Sequence, residues 1–151
     1  MKILVPIDGS EASRRSVNVA KEVGRQFEAE IAVITVVPET SVFEQYPTNF
    51  PYNLELERAN NDRAQKVLED VKTAMSDYPY PVATYYVKGN PAHQIVKFAE
   101  EHHVSLIVMG NRGLGAFSRT LLGSVSNKVI NSSNVSVLVV KGDGKDVKKG
   151  A

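Results

Sequence analysis

The residues best suited to chemistry lie between Leu106 and Ile130. A short apolar run, Leu106-Ile107-Val108-Met109, halts at Gly110, and three glycines, Gly110, Gly113 and Gly115, fall within six residues. Glycine lets the backbone take positive φ and lets another group come close. Arg112 and Arg119 share the loop, and Gly123-Ser124 then leads into Val125, Val129 and Ile130 at helical spacing. Ser124 suits an N-cap, so a helix is expected to begin there. A buried strand, a glycine loop with cations and a new helix N-terminus together suggest an anion site. The free N–H groups and helix dipole at Gly123-Ser124-Val125-Ser126 would face a phosphate, with the hydroxyls of Ser124 and Ser126 as further donors. The alternative is a loop that needs glycine to turn and arginine to stay solvated, and this pattern alone leaves both open. The spacing is neither a Walker A loop, since Ala116-Phe117 follows Gly115, nor G-x-G-x-x-G, since Ser118 stands at the third glycine position.

Other chemistry is sparse. His93, His102 and His103 form no i, i+4 pair, so a zinc site is not expected. No G-x-S-x-G elbow is present. Asp8 is the carboxylate expected in a cleft, either bonding a ligand or making an Asx turn before a helix; the two roles are compatible. Phosphoryl transfer needs an oriented nucleophile as well as a cradle, and no residue here reads as one. No catalytic residue and no metal ligand is assigned.

These groups need a scaffold, and the hydrophobic pattern supplies one. Lys2–Ile7 reads as a buried strand ending at Asp8-Gly9-Ser10, with Ser10 a suitable N-cap. Ala12, Ser16, Ala20, Val23 and Phe27 mark the core stripe of a helix. Ile31–Val37 is a second strand. Pro38–Tyr52 carries three of the seven prolines and several aromatics without a clear period, and reads as an irregular excursion. From Leu54 to about Ser76 a long helical stripe runs through Ala64, Val67, Leu68, Val71, Ala74 and Met75. Val82–Val87 is a third strand. Asn90 and Pro91 fit the cap and first position of a helix with the stripe Ala92, Ile95, Val96 and Ala99. Val135–Val140 is the fifth strand. Alternating strands and helices predict an α/β fold: one doubly wound, Rossmann-like, five-stranded parallel sheet with helices on both faces. Ligands bind such sheets beyond the strands' carboxyl ends, where strand order reverses. Asp8-Gly9-Ser10, Val36–Pro38 and Gly110–Ser126 all fall on that edge, which strengthens the anion-site reading.

Length and composition agree. The 151 residues suit one domain, taken as 1–141 with a flexible tail at 142–151. A net charge of +1 provides no basic field for nucleic acid. Cysteine is absent, which excludes disulfides and thiolate chemistry. Met1-Lys2 leads straight into a strand too short to span a membrane, so neither a signal peptide nor a membrane partner is expected and the cytoplasm is the expected location.

The spacing Gly110-x-x-Gly113, nine residues, Gly123-Ser124 resembles the G-2x-G-9x-G(S/T) signature of nucleotide-binding universal stress proteins. The resemblance extends to the opening K-I-L-V-P-I-D-G-S-E-A-S, to K-G-N-P-A-H-Q-I-V-K-F-A-E, and to Ser105-Leu-Ile-Val-Met-Gly110, which matches a D-x-I-V-M-G pattern. It implies the ATP-binding branch of that family. Pro6, Ile7 and Asp8 would then line the nucleoside, and Val36 would offer backbone groups to adenine. Met109 and Gly110 would pack on base and ribose, with Arg112 and Gly113 near the phosphates. Gly123, Ser124, Val125 and Ser126 would hold the phosphates. Asn111-Arg112 replaces the Ser-His or Ser-Arg of many members, with the glycine spacing intact. The implied protein is a stress-response regulator that binds ATP, with Mg²⁺ a candidate companion. It would be a homodimer paired antiparallel through Val135–Val140. Two alternatives remain: a slow ATPase or autophosphorylating enzyme with Ser124 or Ser126 as acceptor, and a partner-binding module without nucleotide.

Overall fold

The computed structural model describes residues 1–39, 50–113 and 122–142, with side chains described from residue 54 within the helix that starts at 50. Five strands, β1 (Lys2–Pro6), β2 (Glu30–Val37), β3 (Val82–Lys88), β4 (Leu106–Gly110) and β5 (Ser136–Val140), form one parallel sheet in the order β3-β2-β1-β4-β5. Among the described residues four helices connect them: α1 (Glu11–Phe27), α2 (Phe50–Ala74), α3 (Pro91–Glu101) and α4 (Ser124–Ser132). The expected doubly wound α/β sheet is therefore the fold.

Each central strand is apolar on both faces because helices cover both. Ile3 and Val5 of β1 point into a core with α1 and α2, containing Val17, Ala20, Val71 and Met75. Leu4, one residue out of phase, points into the opposite core with Ile95, Phe98 and Val129 from α3 and α4. All three β1 residues are essentially inaccessible. Chain order reverses between β1 and β4, which pair at Ile3↔Leu106 and Leu4↔Ile107 and then diverge. A crevice opens beyond that divergence.

Several expected details shift. Phe27, expected on the α1 stripe, is 62% exposed. The stripe instead uses Val17 and ends at Gly24, against which the Tyr78 ring lies so closely that a Cβ there would collide with the phenol oxygen. Tyr78 Oη donates to the Ala29 carbonyl at 2.5 Å, and burial pushes its pKa up. The same end of α1 is tied down by Lys21 and Arg25, both bonded to Asp77, which hold that carboxyl below its ordinary range. Phe50–Tyr52, read as part of an irregular excursion, open α2 instead. Residues 40–49 of that excursion lie outside the described residues. Ala74, on the predicted α2 stripe, is exposed. The last strand begins at Ser136 rather than Val135, whose N–H bonds Ser133 Oγ at 3.0 Å.

Candidate functional site

A cavity of about 600 Å³ lies at the carboxyl edge of the sheet. Every residue assigned from the sequence lines it. Pro6, Ile7 and Asp8 come from the end of β1, Val36 from β2, Met109 and Gly110 from β4, and Arg112 and Gly113 from the loop that follows. Gly123, Ser124, Val125 and Ser126 come from the start of α4. Gly115 and Arg119, also read as part of the loop, lie outside the described residues.

Local geometry explains the walls. After β1 the chain turns sharply: Asp8 Oδ1 accepts from Ser10 N–H at 2.9 Å, an Asx turn, and Gly9 takes φ +85°. Ser10 then caps α1, its hydroxyl oxygen accepting from Ser13 N–H at 3.2 Å. On the other side of the crevice, Gly110 ends β4 directly against α1. A Cβ there would sit 2.8 Å from Ala12 Cβ and 2.9 Å from the Ala12 carbonyl carbon. Glycine is required at this position by helix packing, whatever the cavity holds. Gly113 approaches the Asp8 carboxylate: a Cβ would lie 2.5 Å from Oδ2.

The start of α4 differs from expectation. Ser124 is the first helical residue, and the N-cap is Gly123, which has no side chain to bond the first-turn N–H groups. Those groups face the cavity uncapped. Gly123 sits at φ −73°, and a Cβ on it would meet nothing nearer than Arg112 Cα at 3.4 Å. The fold itself would accept a side chain there. Ser126, expected to offer its hydroxyl, is 3% exposed, and its hydroxyl hydrogen is committed to the backbone carbonyls of Asn111 at 2.8 Å and Gly123 at 3.1 Å. Its contribution to a ligand reduces to the backbone N–H. The Ser124 hydroxyl is exposed.

Val36 acquires its role from the ladder. Along a parallel strand a residue sends its N–H and C=O to the same neighbour, and successive residues alternate sides. Ile34 C=O accepts from Ile7 N–H at 2.9 Å, on the β1 side, and Val37 C=O accepts from Gly89 N–H at 2.9 Å, on the β3 side. Val36 therefore turns both groups toward β1, whose pairing has already ended at Pro6↔Ile34. Neither group finds a partner among the described residues. Backbone groups left unpaired like this must be met by water or ligand.

Two features escaped the sequence. Asn111 is a buried joint: its carbonyl accepts from Gly123 N–H at 2.7 Å as well as from Ser126 Oγ, and its side-chain Oδ1 accepts from Gly142 N–H at 3.2 Å. It thereby fastens the cap of α4 to the chain leaving β5. The second is one face of α2: Asn60, Arg63, Ala64 and Val67, at i, i+3, i+4 and i+7, line the cavity. The helical period marks Ala64 and Val67 only as core, and polar Asn60 and Arg63 break the apolar pattern that would mark the face. Among the described residues no cluster of His, Cys, Asp or Glu is arranged to hold a metal. No helix there is long and apolar enough to cross a membrane.

The chain can be compared with known proteins on this basis. Residues 1–141 match the model of the "Universal stress protein family". Universal stress protein MJ0531 of Methanocaldococcus jannaschii is 37% identical over 149 residues, covering 96% of this chain and 84% of that one. The solved structure of MJ0577, from the same organism, superposes with TM-score 0.78 at 32% identity over 93% of this chain and 94% of that one. A universal stress protein solved in complex with cAMP superposes with TM-score 0.59 at 29% identity, covering 93% and 96% of the two chains.

Proposed function

The chain belongs to the universal stress protein family, and from that premise we propose that it binds an adenine nucleotide, ATP foremost, as a regulatory protein of the stress response. The observation that carries this reading is the glycine cap of α4, which leaves a helix N-terminus open on the cavity within reach of Arg112 and Gly113. Phosphates would sit there, on the β4 side of the crevice. The nucleoside would extend toward β2, where Val36 presents an adjacent donor and acceptor. Such a pair matches the N1 and 6-amino edge of adenine. The structural relative holding cAMP supports the adenine class. Mg²⁺ would bind through the phosphates, since no protein cluster for it is found among the described residues.

The homodimer belongs to the same proposal. β5 is an outer strand with Leu138 38% exposed, and an apolar edge of this kind calls for a partner. An enzymatic reading receives less support: Ser126 Oγ is buried and bonded to backbone, which leaves Ser124 as the accessible acceptor.

Replacing Gly123 by valine tests the site. The backbone there is extended and the nearest contacts to a new Cβ are ordinary, so the variant is expected to melt near the parent while losing ATP binding in a calorimetric titration. Undiminished binding would remove the phosphate assignment, and failure of the parent to bind any adenine nucleotide would favour a partner-binding module.

A further inference from the structure

The α2 face on the cavity contributes a wall that the glycine signature does not contain. Its height can be located. Tyr86 Oη bonds Asn61 Oδ1, and Lys88 Nζ bonds Glu57 at 2.8 Å. Tyr86 and Lys88 pair across the ladder with Thr35 and Val37. This grip sets the second and third turns of α2 over the end of β2, level with Val36. Lower on the same face, Val67 lies near Gly9 beside Asp8: a Cβ added to Gly9 would come 3.0 Å from Val67 Cγ2. The face is therefore apolar near the sheet and polar toward the mouth, where Asn60 and Arg63 stand.

Strand order gives a direction. The open N-terminus of α4 follows β4, whereas α2 covers β2. These strands lie on opposite sides of β1, so the two walls are about 10 Å apart at ~4.8 Å per strand. That separates the phosphate end of a mononucleotide from its base. Asn60 is half-buried and lines the cavity, and its carboxamide has no hydrogen-bond partner among the described residues. Asparagine is also a poor residue for a helix interior.

We infer that Asn60 selects the base, its carboxamide pairing with the 6-amino group and N7 of adenine while Val36 takes the 6-amino group and N1. The 6-amino group carries two hydrogens, one for Asn60 Oδ1 and one for the Val36 carbonyl. Asn60 Nδ2–H then donates to N7, and Val36 N–H to N1. An asparagine carboxamide matches this adenine edge in both bonds. Guanine presents O6 and N7, two acceptors, and either orientation of the amide leaves one oxygen against another acceptor. The guanine N1–H likewise meets the Val36 N–H. Discrimination thus comes from leaving polar groups unpaired beneath the bound base, which is the more effective way to reject a near-isostere.

This assignment rests on the nucleotide reading above, and one experiment separates the two. The full chain, Asn60→Ala and Asn60→Leu are titrated by calorimetry with ATP, GTP and purine riboside triphosphate, which lacks the 6-amino group. Inorganic triphosphate reports on the phosphate end. Neither substitution opposes the helix, and a thermal melt verifies folding. The expected result is a parent that prefers ATP to GTP, and variants whose ATP affinity falls about tenfold. The 6-deamino analogue keeps N7 and loses only that one bond, so its affinity falls clearly less than that of ATP, by about threefold, while the affinity for triphosphate stays within about twofold of the parent's. An unchanged ATP-to-GTP ratio in the variants overturns the role of Asn60 and leaves the nucleotide site standing. An equal loss for ATP and the 6-deamino analogue overturns it too, reducing Asn60 to a wall. A parent that binds none of the nucleotides overturns both.

Discussion

Two helices begin at the same edge of the same sheet, and they begin differently. At α1, Asp8 bonds Ser10 N–H and Ser10 bonds Ser13 N–H, so the chain supplies its own cap. At α4, Gly123 offers nothing, and the first-turn N–H groups open on the cavity. α3 follows α1: Asn90 Oδ1 accepts from His93 N–H at 3.0 Å, with Pro91 at the first position. A side-chain cap stabilises a helix by about 1 kcal/mol relative to alanine and by a few tenths relative to glycine. Omitting it at one of these three ends leaves donors available for something other than the chain. The packing differs in parallel. The first turn of α1 is pressed against Gly110, while the cap of α4 has room for a side chain.

Supplying the missing cap gives the largest effect. Gly123→Asp places a carboxylate at φ −73°, ψ 171°, a geometry suited to capping, and should raise the melting stability of the free protein by roughly 0.5–1 kcal/mol. The same carboxylate would occupy and repel the phosphate position, so ATP affinity is expected to fall by more than about 100-fold, a loss of some 2.7 kcal/mol. Stability and binding moving in opposite directions is the signature of an end kept open for a ligand. A variant that is both stabilised and fully competent in titration would erase the contrast.

Gly110→Ala probes the packed side. The added methyl meets α1 backbone that cannot yield as a side-chain tip could, so a destabilisation of about 2 kcal/mol is expected in urea unfolding. The smallest effect belongs to Ser10→Ala. Loss of that cap should cost about 1 kcal/mol, a melting shift of ~2–4 °C for a chain of this size. Calorimetry should find ATP affinity within about threefold of the parent's. A Ser10→Ala variant that loses binding outright would mean that the two helix ends are not divided between stability and ligand.

Much of this was legible. Strand and helix order, both apolar faces of β1, the caps Ser10 and Asn90, and the crevice edge all followed from hydrophobic period and capping chemistry. So did the cavity residues from the strand ends, the glycine loop and the start of α4, because these fall on one edge of a doubly wound sheet, whereas the α2 wall did not. Errors fell where a local rule met a non-local neighbour. Phe27 kept the helical period yet lies outside, since Tyr78, fifty-one residues later in sequence, occupies the space at Gly24. Ser124 is the better capping residue, yet Gly123 takes the cap because Asn111 holds its N–H at 2.7 Å.

The sequence by itself determined the order of the elements, their buried faces and the loops that gather at the sheet edge. These depend on period, turn residues and caps, which act over a few residues. Only the tertiary structure decided which polar groups were left unpaired there. The Val36 backbone N–H and C=O are left open because β1 stops two pairs short of them, and Ser126 is withdrawn because the Asn111 carbonyl lies 2.8 Å away. Asn60 reaches the cavity because β3 side chains grip α2 above β2. A hydrogen bond is satisfied or left open by partners distant in the chain, so its outcome is set when the sheet and helices pack.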